Sequence, residues 1–382
     1  MYYLIFAIGI IASFIKKINE RVLLLFISVC LAVFAIFRYG VGADYFAYKY
    51  LFSHYLTSPF LELISGTDKK EVAFSFMGSI FRMMGANYQI FIACIAVLII
   101  VFIYKVCVKY SKKPVLSLFI YYSLFYLVWV FSGYRQGIVL AIGVYALLRF
   151  QKRQDMWKFL VLVLALSLVH LSALILILYY FLAKIEWTHK KLLFLLVSSL
   201  ILAFVPFGQI VTLLGGFPIL DRVVYYAGSH SYGLDFLVKI APRIIFALIA
   251  IYFYLKSPKA VNDNNISILF IIAMCMYLAF SSIDALAGRT SIYGFVFIIL
   301  LIPDYVDYIR KNYSRLIYSL ACVVVVIFSF LFLLKNINTM RLEASISCPG
   351  NYVEILPYTN IFDKQNCVYS NRYYEITDGR GM

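Results

Sequence analysis

The sequence predicts an all-α fold, a polytopic transmembrane helical bundle of about 10–12 membrane segments. Composition carries the first part of that reading. Hydrophobic residues make up 64% of the 382-residue chain and charged residues only 14%, against about 25% charged in a soluble globular domain. Mean hydropathy is +0.91. The second part is distribution. Apolar runs recur along the whole chain, many of them near the roughly 20 residues that cross a hydrocarbon core. Length alone would suggest two or three soluble domains, and the hydropathy overrides it.

In order, the apolar runs place helices near 2–15, 22–37, 88–108, 115–131, 136–150, 159–183, 192–207, 237–255, 266–286, 290–302 and 316–334. The first run has no basic leader and no A-x-A cleavage site, so it reads as the first span. A polar, aromatic stretch covers 38–87, and within it Glu71 to Gly85 is amphipathic and suited to the membrane surface. A second loop covers about 208–236, broken by Gly215, Gly216 and Pro218. The domain plan is one transmembrane domain over 1–334, with external loops at 38–87 and 208–236, and a polar external tail over 335–382. Cys30, Cys94, Cys107, Cys275 and Cys322 lie in or beside apolar runs, whereas Cys348 and Cys367 lie in the tail, where an external setting would allow a disulfide. No CxxC or His/Cys cluster suggests a metal.

The net charge of +16 has a topological origin. Most basic residues sit in short connections between apolar runs, which is the pattern of the positive-inside rule and not of a nucleic-acid module. With the N-terminus outside, Lys16, Lys17 and Arg21 are cytoplasmic, then Lys105, Lys109, Lys112 and Lys113, then Arg149, Lys152, Arg153 and Lys158. If 159–183 crosses once, Lys184, Lys190, Lys191 and every later basic connection fall on the wrong side. If it enters and returns as a broken helix pair near His170, 19 of the 34 basic residues become cytoplasmic in six short loops. Each half would be about 12 residues, or roughly 18 Å of helix, and such breaks persist only where they are buried in protein or line a cavity. Hydropathy favours one span of 25 residues; charge parity favours the hairpin and tips the reading.

The hairpin brings several polar features to the external side. Arg135 lies in Ser132-Gly133-Tyr134-Arg135-Gln136-Gly137, between two apolar runs. A snorkelling interfacial arginine is the bland account; the flanking glycines and Gln136 favour a ligand-facing cluster. Arg38 and Asp44 lie in Arg38-Tyr39-Gly40-Val41-Gly42-Ala43-Asp44-Tyr45, which otherwise reads as a turn with a capping acid. His170 alone would read as a satisfied core histidine, but at a hairpin tip an imidazole suits proton transfer. Arg243 and Arg289 adjoin later runs, and Asp284 could pair with Arg289 locally. Arginines facing one cleft suit an anionic ligand. Tyr45, Tyr48, Tyr225 and Tyr226 are candidates to stack on sugars, against a bland role in the interfacial belt.

Arg38-x-Gly40-x-Gly42-x-Asp44-Tyr45-x-x-Tyr48, Glu71 opening an amphipathic helix, the Ser132–Gly137 cluster, His170-x-Ser172-Ala173, a late Arg289 and the tail's Leu356-Pro357-Tyr358 follow one another in an order that resembles the EpsG family. This family groups with the Wzy-type polymerases of O-antigen and exopolysaccharide. The resemblance implies a bacterial inner-membrane glycosyltransferase with its site facing the periplasm. Its substrate would be an oligosaccharide repeat unit on undecaprenyl diphosphate, its partners the membrane lipids and a chain-length regulator protein, with no cofactor and no metal. A mechanism that fits the residues makes Arg135 catalytic, with Asp44 or His170 as the base. Arg38, Arg135, Gln136, Arg243 and Arg289 would hold the diphosphate, and Tyr45 and Tyr48 would contact sugar. A lipid-linked oligosaccharide flippase, an O-antigen ligase and a non-catalytic assembly partner are the rival readings; a flippase should show a repeat in two halves, and none is visible.

Overall fold

The structure is a computed structural model that describes residues 1–382 except 15–18, 43, 67–70, 154, 208, 211–232, 257–264, 348–357, 359–360 and 362–382. Tyr225, Tyr226, Cys348, Cys367, Gly215, Gly216, Pro218, Lys16, Lys17, Lys259, Leu356 and Pro357 lie outside the described residues. Among the described residues the chain is nearly all helix, with no strand ladder. Among the described residues three helices are long and apolar enough to cross a membrane, or four if a bent pair counts as one span. The chain divides into two compact units: residues 1–145, 164–173 and 309–382 form the first, and 146–163 and 174–308 the second.

The first unit contains α1 (Tyr2–Phe14), α2 (Glu20–Ile36), α3 (Tyr45–His54), α4 (Pro59–Ser65), α5 (Val72–Met83), α6 (Tyr88–Tyr110), α7 (Pro114–Tyr121), α8 (Leu127–Trp129) and the start of α9 (Tyr134–Arg153). The stretch 38–87, expected as a loop with one amphipathic helix, thus holds three helices. Between α7 and α8 the chain forms a π-helical turn, Tyr122–Tyr126. Such a turn disturbs the regular carbonyl ladder, and an apolar surrounding offers no water to compensate. Asn336 supplies the compensation: its Nδ2 donates to the Ser123 and Leu124 carbonyls at 3.1 and 3.2 Å. Asn336 belongs to the last helix, α17 (Arg315–Ser347), of which Arg315–Met340 is apolar enough to span. The sequence places the end of this helix near 334; it continues into the expected tail, where Asn336 finds its partners on the π-turn. Beyond it, the Tyr358 hydroxyl donates to the Phe34 carbonyl at 2.5 Å, and Ile361 N–H to that of Phe37 at 2.9 Å. These contacts, with Tyr2 against Phe34, mark one end of the unit. Lys113 over the Tyr318 ring marks the other, basic end.

The second unit holds the end of α9, the start of α10 (Met156–Ser167), α11 (Ile175–Leu182), α12 (His189–Ala203), α13 (Leu234–Lys256), α14 (Ile266–Ala279), α15 (Asp284–Phe295) and α16 (Ile298–Asn312). The Phe159 and Tyr180 rings stack at 4.7 Å. An unbroken helix would hold these positions about 31 Å apart, so 159–183 is a hairpin and the single-span alternative is excluded. Its break is a turn at 168–170 followed by a 3-10 segment, Leu171–Leu174. The run expected at 290–302 is instead two helices, α15 and α16, bent by 49°. Gly294 sits at this bend in close contact with α14, where a Cβ would strike the Leu269 carbonyl and the Ala273 side chain.

Candidate functional site

The described polar cluster lies in the first unit and is built by four chain segments. The first is the tight reversal between α8 and α9. Gly137, one turn into α9, lets that helix approach the Trp129 carbonyl, which a Cβ would strike. The second is the turn after α2, where Gly42 has a φ of +118° and rests on the carbonyl of Phe131. That close approach is to the protein's own backbone, so these glycines serve chain packing and need no ligand to explain them. The third is the start of α5, with Glu71 at its cap position. The fourth is the hairpin tip, joined to α5 by an Ala73 N–H to Leu168 carbonyl bond of 3.0 Å.

These segments bring Arg135, Glu71 and His170 together. Arg135 Nη1 donates to Glu71 Oε2, and His170 Nδ1 bonds the other oxygen, Oε1. Their side chains are 14–18% exposed, enough for a ligand to reach and too little for bulk water to screen. Burial alone would raise the Glu71 carboxyl; the hydrogen bond from His170 and the Arg135 charge outweigh it and hold the carboxyl below its usual range. The Arg135 guanidinium also lies over Phe74 at 4.8 Å and Tyr48 at 5.3 Å. Tyr48 in turn packs on Tyr134 at 4.8 Å.

Arg38 lies deeper. It is fully buried, donates from Nη1 to the Ala35 carbonyl at 2.7 Å, and sits over Phe131 and Tyr134 at 4.7 and 5.2 Å. With no exposed surface it can act on a ligand only through its field. Tyr45 is 1% exposed, with its hydroxyl on Gln89 at 3.0 Å, so its ring offers no free face to a sugar. Tyr48 is half-buried beside Arg135. Burial first, and then the charge of Asp44, raise its phenol pKa. Asp44 is exposed at the head of α3. Gln136 is buried, and its Nε2 has no hydrogen-bond partner among the described residues. Arg243 and Arg289 belong to the second unit. Arg243 lies over Tyr277 and Phe295 at 4.5 and 4.6 Å, and Arg289 is exposed on α15. Asp284, a candidate local partner for Arg289 in the sequence, forms a salt bridge with Lys239 of α13.

Glu71 is the member that sequence reasoning left without a role, noting only that it opens an amphipathic helix. A charge inventory could have found it. No acidic residue occurs between Glu71 and Asp155, so a counter-ion for Arg135 had to come from a short list.

Fold and site together define a helical membrane protein that carries a guanidinium–carboxylate–imidazole cluster among short helices and a hairpin tip. The chain belongs to the EpsG family, whose family model matches residues 21–360. That family fits a polysaccharide polymerase-like role, carried out by a glycosyltransferase-like enzyme. Neither a curated relative nor a solved structure matches the chain.

Proposed function

We propose that the protein is a Wzy-type polymerase. It moves a growing polysaccharide from undecaprenyl diphosphate onto the non-reducing end of a new lipid-linked repeat unit, at the periplasmic face of the bacterial inner membrane. The observation that carries this reading is the single Glu71 carboxylate joining Arg135 to His170. With the proton on Nδ1 held by Glu71, His170 Nε2 is the nitrogen free to take the proton of the acceptor hydroxyl. The acceptor oxygen then bonds the anomeric carbon as the bond from that carbon to the diphosphate oxygen breaks. The leaving diphosphate gains charge, and Arg135 is placed to stabilise it. An oriented cation in a water-poor site supplies several kcal/mol there. Arg38, buried behind Tyr134, adds a fixed positive field. Membership of the EpsG family supports the polymer chemistry, and the positive-inside rule supports the external placing of this end.

Two variants test it, in purified protein supplied with lipid-linked repeat units. Arg135→Ala should insert normally yet make no polymer. His170→Asn should lose about 10²–10⁴-fold in rate, the usual contribution of a positioned base. Normal ladders from well-expressed Arg135→Ala would overturn the assignment. Asp44, exposed at the head of α3, is the competing base. If Asp44→Asn loses the activity and His170→Asn keeps it, the role moves to Asp44.

A further inference from the structure

A cavity of about 560 Å³ opens in the second unit, where its basic connections gather. Its walls are helix ends: Gln151 of α9, the Ala183–Trp187 segment after α11, Tyr254 of α13, and Asn265 and Ile268 at the start of α14. Much of the wall's polar capacity is already used. Asn265 takes a left-handed backbone, with φ of 54°, and its Nδ2 donates to the Ala183 carbonyl at 2.6 Å. Tyr254 donates to the Trp187 carbonyl at 3.1 Å, and the Trp187 indole N–H to that of Leu182 at 2.8 Å.

Two groups are left over. Gln151 is the first: both Nε2 and Oε1 are buried without a hydrogen-bond partner among the described residues. An unpaired buried amide is costly and uncommon, and it asks for a partner with both an acceptor and a donor. Lys184 is the second. Its ammonium lies 4.5 Å over the Tyr180 ring, and its exposed position lets it meet an anion at the cavity mouth. The Glu186 carboxylate, also on the rim, accepts a hydroxyl and disfavours a multiply charged ligand. A phosphodiester bearing a free hydroxyl meets all three demands. Its phosphate oxygens accept from Lys184 and Gln151 Nε2, and its hydroxyl donates to Gln151 Oε1 or Glu186. A choline phosphodiester lacks that donor. The flanking Arg153, Lys158, Lys190, Lys191 and Lys256 favour the same sign of charge, and by the positive-inside rule they face the leaflet where anionic lipids gather.

We propose that this cavity binds the headgroup of an anionic, hydroxyl-bearing phospholipid of the phosphatidylglycerol class, which clamps the ends of α9, α11, α13 and α14. The proposal is independent of the reading of the Glu71 site. Trp187, on the cavity wall, is the reporter. The full-length protein is placed in phosphatidylcholine nanodiscs, and phosphatidylglycerol brominated near the top of its acyl chains is titrated in. The Trp187 component is isolated by difference from Trp187→Phe, since the chain has three tryptophans. Saturable quenching is expected with brominated phosphatidylglycerol and not with brominated phosphatidylcholine. Lys184→Gln and Gln151→Leu should each weaken it by about tenfold, the loss of one charge-assisted or buried hydrogen bond. Equal quenching by both lipids, or unchanged titrations in both variants, would overturn the proposal. Displacement by millimolar glycerol 3-phosphate would overturn the lipid assignment in favour of a soluble phosphate ester. If Gln151→Leu does not elute as a monodisperse protein, Lys184→Gln at its exposed position decides the matter.

Discussion

The Glu71 carboxylate uses both of its oxygens, one for Arg135 and one for His170. Removing its charge therefore disturbs two partners together. Glu71→Gln should lower stability by about 1–3 kcal/mol, the cost of leaving a partly buried charged group unpaired, and should abolish polymer formation. The pH dependence has a definite sign. The folded state holds the Glu71 carboxyl below its usual value, which is about 4.3. The stabilisation is therefore complete above that value and is lost as pH falls through the lower, folded one. The difference in thermal stability between wild type and Glu71→Gln, measured in detergent, should be constant near neutrality and shrink below about pH 4. A difference that grows on acidification would contradict the ion-pair account.

At the scale of elements, the site depends on short helices and tight reversals held by backbone contact. Gly42 shows this most directly, because its φ of +118° excludes a side chain and its α-carbon faces the Phe131 carbonyl. Gly42→Ala should cost more than about 1 kcal/mol, since both strain and contact oppose it, and should displace Arg38 from its aromatic box. A melting temperature equal to wild type would show that this reversal is softer than its geometry implies. The hairpin of α10 and α11 follows the same logic: each half is too short to span alone, and its tip is held by the Leu168 carbonyl on α5. It presents His170 to Glu71.

At the scale of the molecule, each unit has a basic end and an opposite end. In the first unit Lys113 meets Tyr318 at one end, and Tyr358 meets Phe34 at the other. In the second, Gln151, Lys184 and Tyr254 share a cavity at one end, while Lys239 reaches Ser281 and Asp284 at the other. The proposed orientation puts the basic ends on the cytoplasmic side, as the positive-inside rule expects, and it can be tested. In a background without native cysteines, Lys158→Cys and Lys184→Cys should both resist a membrane-impermeant thiol reagent added outside intact spheroplasts. Asp44→Cys and Asp284→Cys should both react. Opposite labelling at positions 158 and 184 would restore a single span between them.

The sequence by itself determined the helical membrane class, most helix positions, the family resemblance and, through the count of basic loops, the return of the chain near His170. These follow from local quantities: apolar run length, charge placement and motif order are written along the chain. Only the tertiary structure decided that Glu71 is the shared partner of Arg135 and His170, that Arg38 and Tyr45 are buried, and that the glycines serve close packing. It also decided that α17 continues past residue 334 to meet a π-turn more than 200 residues earlier. Each of these is a contact between segments distant in sequence, and hydropathy carries no information about which buried polar group will find which partner.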